Sequence, residues 1–397
     1  MSLAALNIPP SIAEKIVRGE EKILEYVRIN EKMLPQANPL FPASFIDGSY
    51  VVSERRGCLV SLLSTASLAV DEGGFSLKKG LPGNRRPFPA IVFPKEYGEN
   101  RVSYMMKTLE TLAALWEIGR GAGLVVLDGS YLTLLLSSFG FPVEVARRGG
   151  EPLDEGGEVV NAFERWGELL LRGGGADSFV KVSEEMLNLY GELLFRSGGG
   201  IDPLRLSTYV VLTGLLKASH ILLEAAEERG VGVAWLSKDV DSRFLVETAA
   251  GGGWINDVSV LDEAWHSRGD VYLSFSPDKP VKKPSQPVAD PEVLDALYEK
   301  WGGYLVTYVK LGRAGVPLQV SVPARMSSLL DAILSTLKAI PSTNGYPNPL
   351  VYVHHLAVLK REAAELVANT LWRSAEGKGI IERLLAPKGR VMVGLPG

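Results

Sequence analysis

Two apolar runs of this chain, FPASFI at 41–46 and GLVVL at 123–127, each end in the same four residues, Asp-Gly-Ser-Tyr. LVVL has no polar break, which is the pattern of a strand buried on both faces at a sheet centre. Asp followed by Gly and Ser is by itself a turn signal: the carboxylate caps backbone amides and glycine admits a sharp bend. Two such turns at the ends of buried strands point further, to strand ends that meet at one site. The flanking sequence does not repeat, so a duplicated domain does not explain the pair.

The pattern around these runs predicts the order strand, strand, strand, helix, strand. Pro10–Leu34 reads as a helix, followed by a β-meander that starts with the strand carrying Asp47 and a polar loop at 71–89. RVSYMMKTLETLAALWEIG at 101–119 has helical spacing of Val102, Met106, Leu109, Ala113 and Trp116, stopped by glycines at 119, 121 and 123. Residues 132–230 read as a mainly helical insertion punctuated by glycine triplets at 173–175 and 198–200. VGVAWLSKD at 231–239 is a second buried strand, and 270–275, 304–311 and the edge-like LQVSV at 318–322 complete the sheet. Asp290 N-caps a short helix in DPEVLDALYEKW. A helix over 325–340, a loop at STNGYPNP and one long closing helix, VYVHHLAVLKREAAELVANTLW, end the pattern. The reading is one α/β domain over 1–397: a mixed central sheet flanked by helices, its core at about 41–131 and 231–377.

Composition removes several classes of function. The chain has 46% apolar and 22% charged residues and a net charge of −4, so no global basic field marks a nucleic-acid binder. Basic pairs at Lys78-Lys79, Arg85-Arg86, Arg147-Arg148 and Lys282-Lys283 are the local candidates. Cys58 is the only cysteine, which excludes an intramolecular disulfide and a Cys-built zinc site. No glycine triplet precedes Gly-Lys-Ser/Thr, so there is no P-loop. The N-terminus lacks a signal-peptide pattern, and the most apolar window, Tyr209–Leu223, is shorter than a membrane span. A cytoplasmic protein with no membrane segment is expected, and abundant Gly, Pro, Arg and Glu suit a thermophile.

Glu110 joins the two aspartates. It lies four residues after Met106 and three before Ala113, on the apolar side of its helix. A carboxylate there requires a partner or a cation. Glu117, seven residues on, lies on a similar face and is the rival. Clustered carboxylates repel, and hard cations neutralise them while orienting water for phosphodiester hydrolysis. Carboxylates on the first strand, the first helix and the end of the fourth strand follow the order of an RNase H-like fold. His354 and His355 supply a late imidazole, which shifts preference from Mg2+ toward Mn2+.

IDGS at 46–49, LDGS at 127–130, SKD at 237–239 and G-Y-P-x-x-L-x-x-V-H at 345–354 stand in an order that resembles the NurA nuclease family, over about Phe41 to Leu359. The resemblance implies an RNase H-like core, a homodimer, and DNA degradation with Mn2+ as favoured cofactor and Mg2+ as substitute. It further implies 5′–3′ exonuclease and single-strand endonuclease activity in DNA-end resection and double-strand-break repair with the hexameric HerA translocase. By the same resemblance Asp47, Asp128 and His354 are metal ligands, Glu110 is the helix acid, and Tyr346 contacts a phosphate or the attacking water. Lys238 is placed to contact the scissile phosphate, whereas Asp239 and Asp241 could cap the next helix. Val353 departs from the family pattern, which has a small residue before its histidine, and this leaves His355 open as the ligand. Ser49 and Ser130 read as turn residues, since nothing supports acyl chemistry. Apolar ends such as AALNIPPSIAEKI and IIERLLAPKGRVMVGL are candidates for dimer or partner contacts.

Two other classes share parts of this pattern. An actin/hexokinase-like ATPase or kinase also uses Asp-Gly-Ser loops, but it explains neither Glu110 nor the late Tyr and His. A non-catalytic DNA-clamp adaptor would not need the full set of acids.

Overall fold

In a computed structural model of the protein, which describes residues 10–72, 87–149, 153–196, 201–238, 241–252, 255–277 and 279–388, the segment carrying Asp47 is one uninterrupted strand. After α1 (Pro10–Asn30) and the short β1 (Lys32–Met33), β2 (Ala43–Glu54) pairs antiparallel with β3 (Leu59–Val70), from Ala43 opposite Val70 to Glu54 opposite Leu59. β4 (Phe88–Val92) extends the meander. α2 (Gly98–Gly119) then crosses back to β5 (Leu124–Asp128). Asp47 therefore lies inside a strand, not at its end. The ladder with β3 continues through Gly48, opposite Thr65, so the pleat is not interrupted there.

The insertion holds α3 (Tyr131–Leu135), α4 (Phe141–Ala146), α5 (Gly156–Leu171), α6 (Ala176–Arg196) and α7 (Pro203–Arg229). It returns to β6 (Gly232–Ser237), followed by α8 (Phe244–Ala250), α9 (Asp257–Ala264), β7 (Val271–Phe275), α10 (Pro291–Trp301), β8 (Tyr304–Lys310) and β9 (Pro317–Pro323). After a 3₁₀ segment at Ala324–Leu329 come α11 (Leu330–Ala339), a hairpin of β10 (Ser342–Thr343) and β11 (Tyr346–Pro347), α12 (Asn348–Ala357), α13 (Arg361–Ser374) and α14 (Ile380–Leu385). Among the described residues, α7 is long and apolar enough to cross a membrane, and 78% of that apolar window is buried inside the fold.

The main sheet has the order β1-β7-β8-β9-β6-β5-β2-β3-β4. β5 runs parallel to both β2 and β6, and the other pairs are antiparallel. The expected mixed α/β sheet is present. One face packs on α2, α5, α6 and α7, the other on α11 and α12. Asp290 caps α10, accepting from the Glu292 and Val293 amides.

Two further expectations fail, each for a packing reason. LQVSV is no edge: β9 is buried along its whole length between β8 and β6. Its polar residues mimic the alternation of a half-exposed strand, yet they serve buried bonds. Gln319 donates to Ser242 and Tyr308, and Ser321 Oγ accepts from the Tyr131 amide. The closing helix is two helices, broken at Val358–Lys360, where Val358 and Lys360 are extended. α12 must seat Leu350, Val353 and Ala357 against β2, whereas α13 turns Ala368 toward Cys58 and Val60 of the meander and holds Arg55 through Glu365 and Asn369. A straight helix cannot present both faces. The STNGYPNP loop also contains the small β10–β11 hairpin.

Candidate metal centre

The parallel ladder between β2 and β5 runs from Ala43 opposite Leu124 to Ile46 opposite Leu127, then stops. β2 continues beside β3, while β5 ends at Asp128 and the chain turns at Gly129 with φ +111°. The two strands separate at the residue after the last pair. Asp47 and Asp128 therefore flank the opening of a split in the sheet. Asp47 is 5% exposed, and its carbonyl accepts from Thr65 Oγ1 at 3.2 Å.

α12 closes the split from one face. Leu350 and Val353 are 1% and 0% exposed, and burying each side chain contributes roughly 1.5–3 kcal/mol. That anchoring holds His354 at the margin of the buried face, with Nδ1 2.7 Å from Asp47 Oδ2. Ligand atoms of Asp47, Asp128 and His354 lie within 4.8 Å of one another. His355 is exposed, its ring 6.1 Å from that of His354, and it is not part of the ligand group. Val353, the departure from the family pattern, fills the core without displacing His354.

Glu110 approaches over Gly48, from the α2 side. A Cβ at position 48 would lie 2.7 Å from Glu110 Oε1 and 2.9 Å from Met106 Cγ, so only glycine allows the carboxylate this close. Gly48 N–H donates to Asp47 Oδ1 at 2.8 Å. Burial, reinforced by Asp47 and Asp128 and opposed by Lys107 and the Gly48 amide, pushes the Glu110 carboxyl up to about 8. Burial first and Asp47 second also raise Asp128, against Lys238, Tyr346 and His354.

Tyr346 and Lys238 border the centre together. Tyr346 O–H donates to Asp128 Oδ1 at a long 3.4 Å, and Lys238 Nζ lies 5.2 Å from the Tyr346 ring centroid. Lys238 is exposed. One residue escaped the sequence reading: Lys107, a turn before Glu110 on the same helix face, borders a cavity of about 380 Å³ with Glu110, Asp128, Ser130 and Gln319. Burial depresses its ammonium and Glu110 opposes that shift. Its i, i+3 relation to Glu110 was the available signal.

Glu117 belongs elsewhere. It accepts from Ser67 at 2.5 Å and Ser44 at 3.2 Å and pairs with Arg120 at 3.5 Å, near the start of β2. The serines are not both turn residues: Ser49 lies within β2 opposite Ser64, and Ser130 precedes α3 with no side-chain cap bond. Asp241 borders the cavity instead of capping α8, whose first amides are taken by Asp257. Arg148 is ion-paired with Glu96 and Lys283 with Asp295. Lys78-Lys79, Arg85-Arg86, Asp239 and the outer parts of both apolar ends lie outside the described residues.

The donor set fits a divalent cation. Two aspartate carboxylates and one imidazole converge beside a glutamate whose carboxyl is raised by like charge as well as burial, so the cluster is short of positive charge. Oxygen donors with a single nitrogen suit Mn2+.

A NurA domain model matches residues 43–359. The fold is similar to that of the NurA nuclease from Sulfolobus solfataricus, with TM-score 0.59 and 17% identity over 94% of this chain and 97% of that one. A structure of NurA bound to dAMP and manganese aligns with TM-score 0.60 and 16% identity over 93% of this chain and 97% of that one. A structure of NurA with manganese aligns at 0.51 and 16%, over 91% and 97%. No curated protein matches the chain.

Proposed function

The chain belongs to the NurA family, and from that premise we propose that it is a manganese-dependent DNA nuclease, with magnesium as a weaker substitute. The observation that carries this reading is the convergence of Asp47, Asp128 and His354 within 4.8 Å at the split between β2 and β5. These three residues would hold the ion, and Glu110, above Gly48, would serve a second one. A bound divalent cation would lower the pKa of water and stabilise charge on the phosphate. Lys238, backed by the Tyr346 ring, is placed to neutralise a non-bridging phosphate oxygen. Tyr346 donates to Asp128 through its hydroxyl and would contact a phosphate drawn to the cation that Asp128 would hold. The oxygen of water would form the new P–O bond, its proton passing to solvent, as the bond from phosphorus to the sugar oxygen breaks and that oxygen takes up a proton.

The finer reading rests on the family. It makes the protein a homodimer in the cytoplasm, a 5′–3′ exonuclease with single-strand endonuclease activity, and the partner of a HerA-type hexameric translocase in end resection and double-strand-break repair. The single domain over 1–397 is part of the same proposal.

Linear DNA labelled at either end, incubated with purified protein and Mn2+, Mg2+ or EDTA, tests the activity and its polarity. Degradation with Mn2+ that EDTA abolishes is expected, with release from the 5′ label first. No degradation with any metal, at high temperature as well, would sink the nuclease reading.

A further inference from the structure

The chain is acidic overall, with 46 Asp and Glu against 42 Lys and Arg. From residue 300 to 361 the balance reverses: Asp331 is the one carboxylate, against seven Lys and Arg. This segment includes the hairpin with Tyr346 and the helix with His354. Four of the seven cations are engaged. Lys310 is buried on the Trp265 carbonyl, Lys300 and Arg325 are held by Glu224 and Glu227, and Lys338 pairs with Asp270. Arg313, Lys360 and Arg361 have no ion pair among the described residues.

Lys360 and Arg361 stand at the corner between α12 and α13. Counting 1.5 Å per helical residue to Val358 and an extended step for each residue beyond, Lys360 lies within roughly 13 Å of His354 and Arg361 within roughly 17 Å. Between them and the metal centre runs the outer face of α12. It bears His355, with Tyr352 at 45% exposure one turn before His355, and Val358 at 50% follows the end of the helix. Tyr352 has no aromatic or hydrogen-bonding partner among the described residues. Of the nearby acids, Glu365 is occupied by Arg55, which leaves Glu362 in the first turn of α13.

Resting on the nucleic-acid reading above, we propose that the outer face of α12 and the α12–α13 corner are a track for single-stranded DNA on the His354 side of the metal centre. Lys360 and Arg361 contact phosphates, and Tyr352 is a stacking platform. The occupant is a single strand because an exposed ring on a convex helix can stack only on bases whose faces are free. Charge complementarity is local: cations without paired carboxylates stand at the end of the helix that carries His354, roughly two to three nucleotides of extended strand from the centre.

Fluorescence anisotropy of a labelled oligothymidylate, titrated in EDTA over a range of salt concentrations, tests the track without cleavage. Lys360→Ala/Arg361→Ala should weaken binding and reduce the slope of log K against log salt by about 1.4, from two lost phosphate contacts. Tyr352→Ala should weaken binding about tenfold with the slope unchanged. Arg172→Ala, which removes an exposed cation at the opposite end of the sheet, should stay within about twofold. Variants that bind like wild type, with its slope, overturn the track. So does weakening that sedimentation traces to a lost assembly, because the face is then a protein interface. Wild-type binding without Mn2+-dependent cleavage would sink the nuclease reading and leave the track standing. Absence of wild-type binding would remove both.

Discussion

The two Asp-Gly-Ser-Tyr segments have the same side chains and opposite backbones. At 47–50 the chain is extended and paired throughout, and glycine is required by what lies above it, the Glu110 carboxylate. At 128–131 the strand ends, and glycine is required by its own φ of +111°, with no atom within 4 Å of a built Cβ. The tyrosines differ too. Tyr50 is half-buried in a strand, whereas Tyr131 is fully buried and donates to the Trp301 carbonyl at 2.6 Å. Only the aspartates are equivalent, because one strand continues where its neighbour stops. A tetrapeptide specifies which groups are available; the ladder decides where they point.

The largest effect expected is the one in which the copies should agree. Asp47→Asn and Asp128→Asn each remove one carboxylate from the same cluster, so each should lower Mn2+-dependent cleavage by at least about 10³-fold. Circular dichroism melting should show both folded. Retained activity in either variant would break the equivalence of the two aspartates and with it the shared site.

Glu110 faces Gly48 and makes the copies electrostatically unequal. Its carboxyl, raised from an ordinary 4.5 to about 8, holds a proton in the folded state that the unfolded chain has released. Its contribution to stability is fully present below about 4.5 and is lost as pH rises toward 8. Metal-free wild type should therefore lose stability relative to Glu110→Gln across that window, by as much as roughly 4 kcal/mol. Urea unfolding in EDTA at pH 5 and pH 9 measures the difference. Parallel behaviour of the two proteins would show that Glu110 does not bear this strain. Added Mn2+ should restore wild type more than the variant.

Exchanging the glycines sharpens the contrast further. Gly48→Ala should displace Glu110 and Met106, lowering cleavage and Mn2+ affinity about 10- to 100-fold. Gly129→Ala has room but must adopt a left-handed backbone, so it should lower stability by about 1–2 kcal/mol. Calorimetry of metal binding beside thermal melting separates the two. Matching losses in both assays would mean that the glycines do the same work.

Much of this was legible in the chain. Continuous apolar runs marked β5 and β6, and helical spacing placed α2 with Glu110 inward. Asp-Gly-Ser after buried apolar runs marked Asp47 and Asp128, and the late G-Y-P-x-x-L-x-x-V-H stretch marked His354. What stayed hidden depends on pairing. No local signal says that a strand continues through Asp-Gly-Ser, because the residues that demand the glycine are on α2. β9 looked like an edge because Gln319 and Ser321 are polar, and their partners come from distant segments. The α12–α13 break follows from two buried faces out of phase, and that phase is set by the strands beneath.

The smallest effect should come from the hairpin that reaches only the Asp128 copy. Tyr346 O–H meets Asp128 at 3.4 Å, longer than a strong bond, and its ring lies 5.2 Å from Lys238 Nζ. Tyr346→Phe removes the hydroxyl and keeps the ring, so the cation–π contact persists. The loss should be about 0.5–1 kcal/mol, a two- to fivefold fall in kcat with little change in KM. Tyr346→Leu removes the ring as well and should fall further, by releasing Lys238 from its place over that ring. If Phe and Leu behave alike, the ring does not position Lys238. If Phe falls as far as the aspartate variants, the tyrosine hydroxyl touches the reacting phosphate directly, and Asp128 is then the less important of its two contacts.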